Sequence, residues 1–177
     1  MVTNRPIMAA LMLDTLDDFT RSLDGMDRAS SEERLPGFSP VSWTVAHVAS
    51  HIDSWVNNIL AGHPRNDYLT GSAFFKGATG EGAEWKTVST AFYEVLGKAR
   101  TFLEKVTEAE LARAELYQGS MQPLRGKLVT GNYRLARLTA HIYYHIGEIV
   151  TIRTARGEKV GDFPGILTIT SETNVAA

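Results

Sequence analysis

Leu138-Thr139-Ala140-His141-Ile142-Tyr143-Tyr144-His145-Ile146-Gly147-Glu148-Ile149 sets two histidines four residues apart inside a segment with the pattern of a buried helix. Leu135, Leu138, Ile142, Ile149 and Ile152 recur at helical spacing and define one apolar stripe. His145 takes the place in that stripe where another large apolar residue is expected, and His141 lies one turn earlier on the same side. Side chains at i and i+4 are neighbours on a helix, so both imidazoles can reach one point. Neutral imidazole is the commonest protein metal ligand, and two at this spacing form half of a divalent-metal site. The same spacing also fits two core or interface histidines satisfied by hydrogen bonds. The remaining histidines favour the metal. Of five in the chain, His47 and His51 form a second i, i+4 pair, and His63 falls in a loop.

Working outward, the periodicity predicts four long helices, over about 6–26, 40–61, 83–105 and 132–156. The first buries Met12, Leu16, Phe19 and Leu23, with Asp14, Asp17, Asp18 and Arg21 on its other sides. A polar linker over 29–38 ends in the turn signal Pro36-Gly37. The second helix opens at Ser39-Pro40, with serine as N-cap and proline in the first turn. Its apolar face is Val45, Val48, Ile52, Trp55 or Val56, and Ile59, and Gly62 and Pro64 stop it. His47 and His51 lie on the edge of that face, where a cleft between helices can form.

Residues 62–83 carry five glycines and read as a long loop. The loop either covers one end of a pocket or makes a surface excursion with Phe74 and Phe75 tucked into the core. Val88, Phe92, Val95, Ala99, Phe102 and Val106 give the third helix its bundle spacing. Thr107 and Glu110 form a capping box for a short extra helix. Residues 118–130 are read as a loop, a small hairpin being the alternative. The fourth helix starts at Asn132 as N-cap and stops at Gly157; Gly147 in its middle suggests close packing of another helix. The tail, 158–177, alternates at 166–170 and is expected to end in disorder. The result is an all-α fold, a four-helix bundle with long inter-helix loops, as one domain over 1–177. Metal sites in bundles are assembled from facing helices.

Composition narrows the function. A net charge of -2 gives no bulk electrostatic support for binding nucleic acid or an anionic membrane. The absence of cysteine excludes disulfides, thiolate ligands and a cysteine nucleophile. A metal here must be held by His, Asp, Glu or water. There is no apolar run of about 18 residues to span a membrane, and the N-terminus lacks the pattern of a signal peptide. A cytoplasmic location is expected.

His141-Ile142-Tyr143-Tyr144-His145-Ile146-Gly147-Glu148-Ile149 resembles the C-terminal motif of the DinB/YfiT-like superfamily, in which the second histidine is followed after one residue by Gly-Gln-Ile. Glu148 stands here at the Gln position. Trp43, His47, His51 and Trp55 resemble that family's second-helix spacings. The resemblance implies a four-helix bundle with a three-histidine metal site: His47 from the second helix, His141 and His145 from the last. His51 is the rival to His47; otherwise it supports a ligand or carries a proton. Some members are transferases or isomerases using mycothiol, bacillithiol or glutathione, some are fused to sulfoxide synthases, and many have no assigned activity. The resemblance also implies a homodimer.

Three histidines leave an open coordination position, the mark of a catalytic site. Zinc or nickel suits such ligands best, with iron, manganese and copper compatible. Glu148, three residues after His145, reads as a further ligand, a general base, a partner orienting a histidine, or a plain charge at the bundle's edge. Arg137, one turn before His141, reads as a binder of an anionic substrate group or as a surface residue. Tyr143 and Tyr144 read as packing residues. The function expected is a metal-dependent enzyme activating a thiol or water on a small-molecule substrate. The alternatives are a non-catalytic dimeric bundle with a structural or adventitious metal and a stress-related binding role, or core histidines with no metal.

Overall fold

The computed structural model describes residues 5–74, 78, 83–119 and 121–168. The elements in chain order are α1 (Ile7–Ser22), α2 (Arg28–Glu32), α3 (Val41–Ile52), α4 (Trp85–Leu103), α5 (Glu108–Ala112), β1 (Ala114–Leu116), β2 (Leu128–Thr130) and α6 (Gly131–Ala155). The four long helices α1, α3, α4 and α6 form the bundle. α1 packs along α6 and α3 along α4, while α3 also meets α6 and α1 meets α4, which closes the ring. The two helices that carry the histidine pairs are therefore neighbours.

The core follows the predicted faces. Met12, Leu16 and Phe19 of α1, Val45, Val48 and Ile52 of α3, Val88, Phe92 and Val95 of α4, and Leu138, Ile142 and Ile149 of α6 are buried. Phe19 and Phe92 meet edge-on at 5.6 Å and tie α1 to α4. Burying each large side chain stabilises the fold by about 1.5–3 kcal/mol. At the end of α4, Leu103 is fully buried, and Phe102, expected on that face, packs partly buried against the core.

Several local expectations are corrected. The linker folds into α2, whose N-cap Asp27 forms a capping box with Ser30. Ser39 does not cap α3; Pro40 holds that position without a side-chain bond. The second helix does not stay α-helical to its end, because Asp53–Leu60 continues it as a π-helix. The wider turn shifts the phase of the apolar face, so Val56 is buried but Ile59 is 38% exposed. Residues 114–130 do contain a small hairpin, with β1 and β2 antiparallel and Glu115 opposite Val129. The cap of α6 is Thr130, whose Oγ1 accepts the Tyr133 N–H at 3.1 Å. Asn132 instead donates to Glu108.

Of the glycines in the long helices, the one at a close approach is not Gly147 but Gly131. A Cβ there would meet Leu111 at 3.0 Å, whereas one on Gly147 would meet nothing within 4 Å. Phe74 is buried, as is Leu69 in the same loop; Phe75 lies outside the described residues. Within the tail, 166–168 form no strand, and 169–177 lie outside the described residues.

Asp14 and Asp18 are buried rather than solvated, because the tail returns across α1. Asp18 accepts from Arg21 at 2.8 Å, the Tyr143 hydroxyl at 2.9 Å and the Gly165 amide at 2.9 Å. Burial acts to raise its pKa, but these donors outweigh it and hold the carboxyl below its usual range. Asp14 accepts from the Thr168 amide at 2.9 Å. Replacing Asp18 with Ala should cost about 2 kcal/mol, because it strands buried donors of a charge-assisted network. Urea unfolding measures the loss, and limited proteolysis should show cutting near residues 162–168 at protease levels that leave the wild type intact.

Candidate metal centre

α3 lines up Trp43, His47 and His51 along one ridge, and α6 faces it with His141, His145 and Glu148. The imidazole Nε2 atoms of His141 and His145 are 3.2 Å apart. The His47 ring centroid is 5.2 Å from that of His141 and 5.0 Å from that of His145. One nitrogen from each of His47, His141 and His145 lies within 4.8 Å of the others, and these three could hold a metal ion. Two nitrogens each about 2.0–2.1 Å from one tetrahedral ion are about 3.3 Å apart, which the His141–His145 pair matches.

The outer nitrogens show which atoms face inward. His47 Nδ1 is 2.6 Å from the Phe74 carbonyl oxygen, and His145 Nδ1 is 2.7 Å from Glu148 Oε2. A carbonyl and a carboxylate only accept, so each Nδ1 carries the hydrogen and donates it. In the neutral ring that leaves Nε2 as a lone pair. His141 Nε2 then faces the bare Nε2 of His145, and its own Nδ1 is buried without a partner. Either a proton or a metal ion must sit between two such nitrogens.

The surroundings disfavour protonation. Burial lowers the pKa of His47, partly offset by the Phe74 carbonyl. Burial first, then the neighbouring His145, His47 and Arg137, brings His141 down to about 4. His51 is lowered to about 3 by burial, then by His141, His47, His145 and Arg65. Its ring lies 4.6 Å from His47 and 4.5 Å from His141, beside the three that converge.

A cavity of about 820 Å³ opens onto all four imidazoles. Phe38, Trp43, Trp55, Leu138 and Tyr144 give it apolar walls, and Arg137 and Glu148 also line it. That volume suits a small organic molecule. Tyr144 is exposed and packs edge-on against His145 at 5.0 Å, whereas Tyr143 turns to α1, where burial and then Asp18 push its hydroxyl up to about 12.

The loop after the π-helix is pinned to α3. Trp43 Nε1–H donates to Ala73 O at 2.8 Å and Ser50 Oγ–H to Leu69 O at 2.9 Å, on either side of the His47 bond. Trp43 also stacks on His47 at 4.9 Å. Sequence reasoning had no means of finding the Phe74 carbonyl, since a backbone atom has no residue signature. It also missed Asp53, which is buried and accepts from Arg65 at 2.9 Å and the Asn66 amide at 2.8 Å. An aspartate next to Ile52 on an otherwise apolar helix was the available signal. Arg134, buried in the first turn of α6, was missed too.

The sequence pattern of the DinB superfamily matches residues 12–149. The chain belongs to the DinB superfamily. Its fold is shared by a conserved protein from Enterococcus faecalis, at 19% identity and a TM-score of 0.62, over 85% of this chain and 96% of that one. It is also shared by YfiT from Bacillus subtilis, described as a probable metal-dependent hydrolase with an unusual four-helix bundle topology. That likeness has 16% identity and a TM-score of 0.58, over 86% of this chain and 87% of YfiT. No curated protein matches this sequence. Among the described residues of this DinB-superfamily chain, no helix is long and apolar enough to cross a membrane.

The depressed histidines make stability depend on pH. Unfolded, His51 and His141 titrate near 6.5; folded, they titrate at about 3 and about 4. Between those limits the unfolded chain binds more protons, so stability falls as pH drops. The metal-free protein should melt progressively lower from pH 7 to pH 4, and His51→Gln should flatten the slope. Calorimetry across that range checks this; a melting temperature that rises on acidification contradicts it.

Proposed function

We propose that this chain is a metal-dependent enzyme acting on a small organic substrate. His47, His141 and His145 are the ligands to a divalent ion, zinc or nickel in preference, and the nucleophile is a thiol or a water. The observation that carries the reading is the convergence of three imidazoles at a cavity large enough for a substrate. A site of this kind with only three protein ligands keeps an open position, as catalytic sites do. When bound, a divalent ion supplies Lewis acidity that makes a thiol or a water nucleophilic at neutral pH.

The protein's own groups prepare for that chemistry. Glu148 orients His145, and the Phe74 carbonyl orients His47. His51 is too weak a base to keep a proton at neutral pH, so its part is to orient a bound group rather than to store a proton. The aromatic walls exclude water and hold an apolar substrate body. The chain has no cysteine, so any thiol must come from a low-molecular-weight cofactor. The description of YfiT as a probable metal-dependent hydrolase supports the use of water, while the resemblance to thiol-dependent members supports S-transfer or isomerisation.

Elemental mass spectrometry on protein purified without a histidine tag tests the ligand set. Wild type should carry metal near stoichiometry. His47→Ala and His145→Ala should lose it, and His51→Ala should keep it. Glu148→Ala should bind metal about 10–100-fold more weakly. A wild type that takes up neither zinc nor nickel would sink the proposal. Thiol-consumption and ester-hydrolysis assays on the loaded protein then separate the two nucleophiles.

A further inference from the structure

A second cavity, of about 730 Å³, shares His51 and Trp55 with the first. Arg134 lines it and is only 4% exposed. Among the described residues Arg134 makes no hydrogen bond and no ion pair, and its Nη1 is buried with no partner. Its one neighbour of note is the Tyr117 ring, 5.9 Å from Cζ. Arginine stays charged at any pH a protein tolerates, so it cannot escape burial by losing a proton. A buried charge is normally paired, and among the described residues no group supplies the pairing.

The other charges on the wall are already engaged. Arg65 donates to the Asp53 carboxylate at 2.9 Å and to Ser50 Oγ at 3.1 Å. Glu115 accepts from Arg113 at 2.6 Å and is not in ion-pair reach of Arg134. The cavity thus presents one free guanidinium fork, set against an aromatic face, at a place large enough for a ligand.

We propose that Arg134 anchors an oxyanion subsite, which binds the carboxylate or phosphate group of a small molecule through paired N–H donors. The planar fork matches both groups. Because the cavity shares His51 and Trp55 with the histidine cavity, one ligand can span both. The subsite itself does not depend on a metal ion.

Calorimetric titration of the full chain with inorganic phosphate and with succinate, at constant ionic strength, tests this and tells the two anion types apart. Each titration is repeated with a chelator present. Binding of either anion should persist with chelator, weaken roughly tenfold in Arg134→Lys, which keeps the charge without the fork, and vanish in Arg134→Met. Arg134→Met should also melt no lower than wild type in anion-free buffer, since it removes an unpaired buried charge. Binding that disappears with chelator and survives in Arg134→Met would place the anion on the metal and overturn the proposal. So would an absence of binding in wild type, or Arg134→Met and Glu115→Gln destabilising the protein equally, which would make Glu115 the internal partner.

Discussion

Two hydrogen bonds, from His47 Nδ1 to the Phe74 carbonyl and from His145 Nδ1 to the Glu148 carboxylate, decide the chemistry at the centre of this bundle. Each fixes a tautomer, and together they turn two Nε2 lone pairs toward His141. Without such acceptors, buried imidazoles could rotate or swap protons, and no common focus would be defined. The arrangement has a cost in stability. A cluster of lone pairs in a half-buried space repels itself and loses water, which the apolar faces of the four long helices must offset.

The bundle supplies both requirements of such a site, rigid placement and access. α3 and α6 are neighbours, so their histidine ridges face each other across one seam. The π-helical turn that follows α3 brings Asp53 inward, where it accepts from Arg65 and from the Asn66 amide and anchors the start of the loop. Trp43, His47 and Ser50 then hold the far part of that loop by its carbonyl oxygens. His47, one of the three converging imidazoles, is thus also a fastener of that loop. Changes in that loop should be felt at His47 directly.

Much of this was legible in the sequence because it is written in short spacings. The i, i+4 histidine pairs, the apolar stripes and the Thr107–Glu110 capping box are local patterns, and local geometry realises them. What escaped depends on distant partners or on a change of period. The π-helix inserts extra residues per turn, so a 3.6-residue reading placed Ile59 inside. Thr130 and Asn132 are both good caps, and the pairing of β2, which ends at Thr130, decides between them. Asp14 and Asp18 looked solvated because the groups that bury them lie about 150 residues away. Gly147 sat beside the histidines and invited a packing role, yet the close approach is at Gly131, against a short helix. Arg134 falls one turn before Leu138 on the apolar stripe, a charge out of place that periodicity could have flagged.

In the proposed centre three imidazoles, and not four, converge on one ion with a position left open. X-ray absorption at the metal edge of zinc-loaded protein tests it most directly. Three imidazole nitrogens at about 2.0–2.1 Å with one lighter oxygen or nitrogen neighbour, unchanged in His51→Ala, is the predicted result. A shell of four imidazoles that loses one in His51→Ala, or a shell of oxygen atoms alone, would contradict it.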